Sequence, residues 1–265
     1  MSYVEAIILA IIEGLTEYLP VSSTGHLIIG TALLGIEPNE FVKLFTIAVQ
    51  PGAILSVLVL YWKQFFKSFR FYINLLIAFI PAAVFGFVFD DVIDSLLESP
   101  LTVGISLFVG GVLLLFVDRW FKENEHNPNQ EVTYKKSLTI GLFQVLSMIP
   151  GTSRSAATIV GGLAAKLNRK NAAEFSFFLA VPTLLAATGY KLLKYILYDS
   201  MSLTSHDLGV LFLGNIVSFI VGLVAIKGFI TFLTRKGFVW FGWYRIVVGA
   251  VIIMLILFNY NLAIL

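Results

Sequence analysis

The sequence has no cysteine and few charged residues, and each scarcity narrows what the chain can be. Without cysteine there are no disulfides and no thiolate metal ligands. Charged residues make up 13% of the 265 residues, whereas hydrophobic residues make up 58%, and the mean hydropathy is +0.90. The formal net charge of +2 is too small to indicate a nucleic-acid partner. This composition is typical of an integral membrane protein and not of a soluble domain.

Six apolar runs are long enough to cross a bilayer as helices, for which about 20 residues are needed. They cover residues 43–62, 71–89, 101–118, 174–194, 208–226 and 239–259. Shorter runs occur in pairs around Pro and Gly, at 3–19 with 21–35 and at 137–149 with 151–166. Irregular backbone is tolerated at membrane depth only where protein or a water-filled cavity covers it, so we predict two re-entrant helical hairpins, at 3–35 and 137–166. The alternative for each pair is an ordinary span kinked at proline.

A hairpin followed by three spans occurs twice in the same order, which predicts an internal repeat. In the alignment of the two copies, Pro20 and Ser23 correspond to Pro150 and Ser153. A unit with three full spans begins and ends on opposite sides, so the second copy should be inverted and the hairpin tips should meet near the midplane. The predicted fold is an all-α polytopic membrane protein, one integral domain overall. Its parts are repeat 1 at 1–118, a cytoplasmic linker at 119–136 and repeat 2 at 137–265.

The basic residues are divided unevenly between the two sides of the predicted spans. Those on the richer side are Lys63, Lys67, Arg70, Arg119, Lys122, Lys135, Lys136, Lys166, Arg169, Lys170, Lys227, Arg235 and Lys236. The other side has Lys43, Lys191 and Lys194, with the acidic residues Glu37, Glu40, Asp90, Asp91, Asp94, Glu98, Asp199 and Asp207. The positive-inside rule therefore predicts that the richer side is cytoplasmic and that both termini are outside. The N-terminal run lacks the basic segment of a cleavable signal, so we expect it in the mature protein.

Carboxylates, hydroxyls and an imidazole interrupt the first hairpin, although such groups are costly at membrane depth. Glu13 and Glu17 are four residues apart on one helix face, so they repel each other unless a divalent cation or a shared proton lies between them. The turn that follows contains Ser22, Ser23, Thr24 and Gly25. Its hydroxyls are candidate N-caps, and the free amides of the next helix start would bind an anion. His26 follows at once, placed to take or give a proton.

The second hairpin adds a positive charge. Arg154 is the only basic residue that this layout places near mid-membrane, and its forked guanidinium suits bidentate phosphate binding. Its neighbours in the hairpin include Gln144, Gly151, Thr152 and Ser153. The alternative is an ion pair between Arg154 and Glu17 that only ties the hairpins together. The two tips together predict an anion site reached from the membrane, suited to phosphoryl transfer on a lipid-borne phosphate.

A transporter or lipid flippase for a phosphorylated lipid or anion is the alternative function. Inverted repeats with broken helices that meet at the midplane are also a transporter architecture, and an anion-binding Arg154 would serve either. The set of Glu13, Glu17 and His26 favours an enzyme, because binding alone does not need it.

Two motifs resemble those of the undecaprenyl-diphosphate phosphatases of the bacitracin-resistance family. They are EGLTEYLPVSSTGH at 13–26 and PGTSRS at 150–155. The resemblance implies hydrolysis of undecaprenyl diphosphate to undecaprenyl phosphate and inorganic phosphate, which recycles the lipid carrier for cell-wall synthesis and confers bacitracin resistance. It also implies a divalent cation, Mg or Ca, and a site open to the outer face of the bacterial cytoplasmic membrane.

Carried over residue by residue, the resemblance assigns the cation and proton transfers to Glu13 and Glu17, and the diphosphate to Arg154. Ser23 or His26 would be the nucleophile or its activating base, with attack by Ser23 and His26 as base favoured, or water would attack directly. Further substrate contacts would come from Ser22, Thr24, Gly25, Gln144, Gly151, Thr152 and Ser153. The expected partners are the polyprenyl diphosphate and bilayer lipids. The oligomeric state stays open, with a homodimer as one alternative.

Overall fold

A computed structural model describes residues 1–66, 68–97, 99–198 and 203–258, and every regular element within these ranges is helical. Six stretches of the described ranges are long and apolar enough to cross a membrane. They are Glu40–Leu60, Phe69–Val88, Pro100–Trp120, Arg169–Lys194, Ser205–Lys236 and Val239–Leu257. The six predicted spans are confirmed, and the chain is a multi-pass membrane protein. Lys67, Glu98, Asp199 and residue 259, used above, lie outside the described residues.

The described ranges contain twelve α-helices. In chain order they are α1 (Tyr3–Thr16), α2 (Ser23–Leu33), α3 (Glu40–Ala48), α4 (Gln50–Leu60), α5 (Phe69–Val88), α6 (Asp90–Leu97), α7 (Pro100–Trp120), α8 (Tyr134–Val145), α9 (Arg154–Ala164), α10 (Arg169–Tyr198), α11 (Ser205–Lys236) and α12 (Val239–Leu257). The first predicted span consists of two helices, α3 and α4, because the ring of Pro51 at the start of α4 carries no backbone N–H. The sequence analysis does not predict α6, whose eight residues are too few to cross a bilayer.

Capping residues mark the ends of several helices. Ser2 and Glu5 form a capping box at the start of α1, and Thr204 and Asp207 form one at the start of α11. At its other end α11 stops at Gly237, which has a φ of 71°. Between these two caps α11 runs for 32 residues, or about 48 Å, and is longer than the predicted span at 208–226.

Each pair of short helices packs, through its first helix, against a long helix from the other half of the chain. Helix α1 lies against α11, where a Cβ on Gly14 would come within 2.7 Å of the carbonyl oxygen of Ser218. Helix α8 lies against α5, where a Cβ on Gly141 would come within 2.5 Å of the carbonyl oxygen of Ala78. Only glycine permits backbones to approach so closely. The short pairs are therefore held by helices far from them in sequence.

Helices α7 and α12 cross with their backbones in contact. A Cβ on Gly111 would lie 2.8 Å from the carbonyl oxygen of Gly242, and a Cβ on Gly249 would lie 2.7 Å from that of Gly104. This pairing is antiparallel, and small residues are typical of such close crossings in membranes. Between α7 and α8 the connection is residues 121–133, slightly shorter than the predicted linker at 119–136.

Candidate active site

The first turn, residues 17–22 between α1 and α2, contacts the second turn, residues 149–153 before α9. The hydroxyl of Ser155 donates to the carbonyl oxygen of Leu19 (2.7 Å), and the hydroxyl of Ser153 donates to the same oxygen (3.5 Å). Arg154 Nη2 donates to Glu17 Oε1 at 2.8 Å. The prediction that these two distant segments meet is therefore confirmed.

Each turn ends in a serine with a left-handed backbone. Ser22 has a φ of 70° and Ser153 has a φ of 73°. Each side chain accepts a hydrogen bond from the backbone amide three residues on, that of Gly25 or Ala156. A residue other than glycine in this region costs roughly 1–3 kcal/mol, and such conformations cluster at functional sites.

These matching caps correct the alignment of the two turns by one residue. The sequence analysis pairs Ser23 with Ser153, but the shared backbone conformation pairs Ser22 with Ser153. The sequence alignment was one residue off because each turn contains adjacent polar residues, which can be matched in more than one register. In the corrected register the counterpart of Ser23 is Arg154, so equivalent positions of the two helix starts carry a hydroxyl and a guanidinium.

Glu17 lies between the hydroxyl and the guanidinium. Its Oε2 accepts a hydrogen bond from Ser23 Oγ (2.8 Å) while its Oε1 accepts the bond from Arg154. The side chains of Arg154 and Glu17 are only 9% and 5% exposed. Arg154 Nη1 also donates to the carbonyl oxygen of Ser176 (3.0 Å), and the guanidinium lies 5.9 Å from the ring centroid of Tyr18. A charge-assisted chain thus links the two predicted motifs.

Glu13, one helical turn before Glu17, is fully buried. Neither of its carboxylate oxygens has a hydrogen-bond partner among the described residues, although both Glu17 and Arg154 are near enough to act on its charge. Two unpartnered buried oxygens beside a second carboxylate are suited to a divalent cation, which takes oxygen ligands. No group of three or more His, Asp or Glu side chains in the described part of the chain would hold a metal ion.

His26 makes two hydrogen bonds, and neither of them is to Ser23. Its Nδ1 lies 2.7 Å from the carbonyl oxygen of Ser22, which can only accept, so Nδ1 carries the proton. Its Nε2 lies 2.6 Å from the hydroxyl of Tyr244 and accepts from it in the neutral ring. The two rings are stacked, with centroids 5.5 Å apart. The Ser23 hydroxyl therefore bonds to the carboxylate of Glu17 and not to the imidazole of His26.

A cavity of about 550 Å³ adjoins the chain of charged groups. Seven of the predicted site residues line it, namely Glu17, Ser22, Ser23, Thr24, Gly151, Ser153 and Arg154. Five others do not line it, namely Glu13, Gly25, His26, Gln144 and Thr152. Gln144 is buried, and its Oε1 accepts from the hydroxyl of Thr183 (3.3 Å). The cavity wall also includes the apolar side chains of Leu27, Ile28 and Leu184.

An ion-pair cluster borders the cavity where α6 meets α10. The cavity follows α10 from Leu184 to Lys194, about 15 Å of helix, and it also contacts Asp94. Lys191 Nζ bonds to Asp90 at 3.0 Å and to Asp94 at 2.7 Å, and Lys194 Nζ bonds to Asp90 at 3.1 Å. Lys194 and Asp94 are 40% and 38% exposed, so this part of the cavity lies near the surface.

The stability contributed by this cluster should depend on pH. Burial alone would raise the pKa of Asp90, but hydrogen bonds from Lys191 and Lys194 outweigh it and hold the pKa of the carboxyl below its ordinary value of 3.8. The stabilisation is therefore complete above about pH 4 and is lost as the pH falls below that value. We expect Asp90→Asn to lower the melting temperature at pH 7 by about 1–3 °C. The melting temperatures of the two proteins should draw together as acid protonates Asp90 in the wild type, and a difference that stays constant in acid would contradict the assignment.

Arg245 is a residue that the sequence analysis missed. It lies inside the apolar run of α12, is fully buried and donates hydrogen bonds to both turns. The prediction that Arg154 is the only basic residue near mid-membrane is therefore wrong. A lone charged residue within an apolar span was the available signal, because such residues are costly there.

The comparisons with known proteins agree along almost the whole chain. The sequence model of a family described as bacitracin resistance protein BacA matches residues 6–251. A relative from Flavobacterium psychrophilum is 56% identical over 262 residues, 99% of both chains. One from Bdellovibrio bacteriovorus is 50% identical over 264 residues, 99% of both chains. One from Clostridium tetani is 42% identical over 267 residues, covering 96% of this chain and 97% of its own. All three relatives carry the name undecaprenyl-diphosphatase.

Proposed function

Because the chain belongs to the BacA family of bacitracin resistance proteins, we propose that it is a membrane hydrolase that converts undecaprenyl diphosphate to undecaprenyl phosphate and inorganic phosphate. This reaction recycles the lipid carrier of peptidoglycan synthesis and underlies bacitracin resistance. The observation that carries the proposal is the hydrogen-bonded chain of Ser23, Glu17 and Arg154, which brings both sequence motifs to one cavity.

The cavity has room for the head of such a lipid but not for its whole tail. Its polar part contains Arg154 and the starts of α2 and α9, whose dipoles favour an anion. Its apolar wall, which includes Leu27 and Leu184, suits the first isoprene units. A volume of about 550 Å³ leaves the rest of a C55 chain among bilayer lipids. Ser22, Thr24, Gly151 and Ser153 line the same cavity and would contact the phosphate oxygens.

Ser23 is the proposed nucleophile and Glu17 its base. In the empty site Glu17 is shared with Arg154, and a bound diphosphate competes for the guanidinium and frees the carboxylate. Ser23 Oγ then bonds to the terminal phosphorus, its proton passes to Glu17, and the anhydride P–O bond breaks to release undecaprenyl phosphate. Water next attacks the phosphorus of the phosphoserine and the bond from phosphorus to Ser23 Oγ breaks. Glu17 returns its proton to Oγ, and inorganic phosphate leaves with the protons of the water.

This assignment differs from the expectation that His26 is the base. The Nε2 of His26 is already bonded to Tyr244, and Nδ1 is bonded to a carbonyl oxygen, so neither nitrogen is free to take the Ser23 proton. We assign His26 instead to holding the carbonyl of Ser22 and, through it, the left-handed cap of α2.

Glu13 and Glu17 would hold the divalent cation, Mg²⁺ or Ca²⁺. The two unpartnered oxygens of Glu13 support this, and phosphate oxygens of the substrate complete such a shell in many phosphoryl-transfer sites. When bound, the cation neutralises charge on the phosphate oxygens. Gly25 and Thr152, which do not line the cavity, would act on the substrate only through their neighbours in the turns.

The function is tested with purified protein in detergent, undecaprenyl diphosphate and Mg²⁺, by measuring released phosphate. Substrate labelled with ³²P at the terminal phosphate, quenched in acid, should leave label on the wild-type chain but not on Ser23→Ala. Ser23→Ala should lose at least about 10³-fold in turnover. Unchanged turnover in Ser23→Ala, together with no label on the wild-type chain, would mean that water attacks the phosphorus directly and that no phosphoserine forms. No phosphate release under Mg²⁺ or Ca²⁺, together with protein-dependent lipid movement in vesicles, would favour a transporter.

The two short helix pairs, 3–35 and 137–166, are proposed to be re-entrant hairpins of an inverted repeat with halves at 1–118 and 137–265. The packing of α1 on α11 and of α8 on α5 supports this proposal. In each case the first helix of one half packs against the second of the three spans of the other half. Both termini and the surface end of the cavity are proposed to face outward.

A cysteine-free chain makes this orientation easy to test. Glu123→Cys, an exposed position in the connection between α7 and α8, should resist an impermeant thiol reagent in intact cells and react after permeabilisation. Glu37→Cys, equally exposed on the side of Lys43, should react in intact cells. The opposite pattern would reverse the assigned orientation.

A further inference from the structure

The guanidinium of Arg245 donates five hydrogen bonds, and all five acceptors are backbone carbonyl oxygens. Its acceptors are Pro20 of the first turn, Gly151 and Thr152 of the second turn, and Ser106 and Leu107 of α7. The side chain is completely buried, and no carboxylate pairs with it in the part of the chain that the structure describes. It does not line the cavity, so it is not placed to touch the substrate.

The guanidinium joins equivalent points of the two turns. Its Nη1 lies 3.1 Å from the carbonyl oxygen of Pro20, and its Nη2 lies 3.0 Å from that of Gly151. Pro20 and Gly151 each stand two residues before a left-handed serine, Ser22 in one turn and Ser153 in the other. One side chain therefore fixes both turns just before their strained caps.

Only arginine can make this set of contacts. Its planar fork presents five N–H donors in fixed directions, whereas a lysine ammonium presents three from one point. The bonds from Nη1 to Thr152 (2.9 Å) and from Nη2 to Ser106 (3.2 Å) use the directions left by the first two. A lysine would keep the charge but could not bridge both turns and α7 at once.

We propose that Arg245 is a positioning residue that clamps the two turns at the spacing at which Arg154 and Ser23 meet on Glu17. It acts through the backbone and not by contact with the phosphate. The role rests on the proposed phosphatase reaction, because the spacing matters for in-line attack on a phosphorus held by Arg154.

A second variant disturbs the clamp without removing the arginine. A Cβ on Gly110 of α7 would overlap Nη2 of Arg245, so Gly110→Ala must displace the guanidinium. Gly228 of α11 offers a matched control, because a Cβ there meets no heavy atom within 4 Å. Both substitutions replace a helical glycine by alanine and gain the same helix propensity.

The test compares Arg245→Lys, Gly110→Ala and Gly228→Ala with wild type in kcat and KM for undecaprenyl diphosphate. We expect kcat to fall at least about 30-fold in Arg245→Lys and about 10-fold in Gly110→Ala, with KM within about threefold and Gly228→Ala unchanged. Hydrogen–deuterium exchange should rise at residues 17–25 and 149–156 in both clamp variants and stay unchanged along α5.

Two results would overturn the proposal. Full kcat in Arg245→Lys would mean that the positive charge suffices without the fork. Faster exchange throughout the chain, with normal kcat per folded molecule, would mean a general role in folding. A wild-type protein that releases no phosphate would refute the proposed function instead, and the exchange measurements would still test the clamp.

Discussion

Arg154→Ala should lower kcat/KM for undecaprenyl diphosphate by at least about 10³-fold, measured as phosphate release under excess Mg²⁺. Among the described residues, Arg154 is the one cationic residue that both lines the cavity and bonds to Glu17. Its loss removes the bidentate partner of the diphosphate and leaves the buried Glu17 carboxylate without its counter-charge. KM should rise as well, because Arg154 binds the substrate before the reaction begins.

Three further variants separate the roles of Arg154. Arg154→Lys should retain some turnover, since a point charge replaces the fork. Arg70→Ala breaks an exposed ion pair with Glu131 (2.7 Å) and should leave turnover unchanged. The exchanged pair Glu17→Arg with Arg154→Glu tests whether the two charges only tie the turns together. Restored turnover in that double variant would show a purely structural ion pair and contradict the assigned phosphate role.

Glu17→Gln should lower kcat by at least about 10²-fold with a smaller change in KM. The amide keeps the size of the side chain and can accept from Ser23 with its oxygen, but it cannot take a proton. The substitution also removes one of the two carboxylates proposed for the cation, so the Mg²⁺ concentration needed for half-maximal rate should increase. Titration of Mg²⁺ at saturating substrate measures this second effect directly.

Glu5→Gln and His26→Ala are the comparisons for Glu17→Gln. Glu5 belongs to the capping box of α1, far from the cavity, and its amide variant should keep full turnover. His26→Ala should lower turnover less than Glu17→Gln, because His26 supports the cap and does not bond to Ser23. A larger loss in His26→Ala than in Glu17→Gln would return the role of base to the imidazole.

The sequence was sufficient for the spans and for the meeting of the two turns. Long apolar runs report burial in lipid directly, and Glu17 and Arg154 are polar groups that need partners at that depth. The ends of the spans were less predictable. One predicted span is divided at Val49, two residues before Pro51, into α3 and α4. Helix α11 continues past its apolar part to Lys236, because the Gly237 cap ends it and hydropathy does not.

Contacts made through the backbone could not be read from residue types. Arg245 binds carbonyl oxygens, which every residue has, so no letter in either turn marks its partners. The partner of His26 is Tyr244, 218 positions away, and only the packing of α12 brings the two rings together. The one-residue shift that pairs Ser22 with Ser153 likewise depends on backbone angles. Ser22 and Ser23 are the same residue type, so the sequence does not show which of them has the left-handed backbone.

The packing of α1 on α11 and of α8 on α5 has a consequence for how the chain assembles in the membrane. Helix α8 emerges from the ribosome after α5, so its native neighbour is waiting when it enters the membrane. Helix α1 is made first, yet its neighbour α11 begins only at Ser205. Until then the face of α1 that carries Gly14 lacks its native neighbour, and the carboxylate of Glu13 on the same helix is costly at membrane depth. The N-terminal pair of helices therefore completes its native packing only after α11 has been made, whereas α8 can pack on α5 as soon as it enters the membrane.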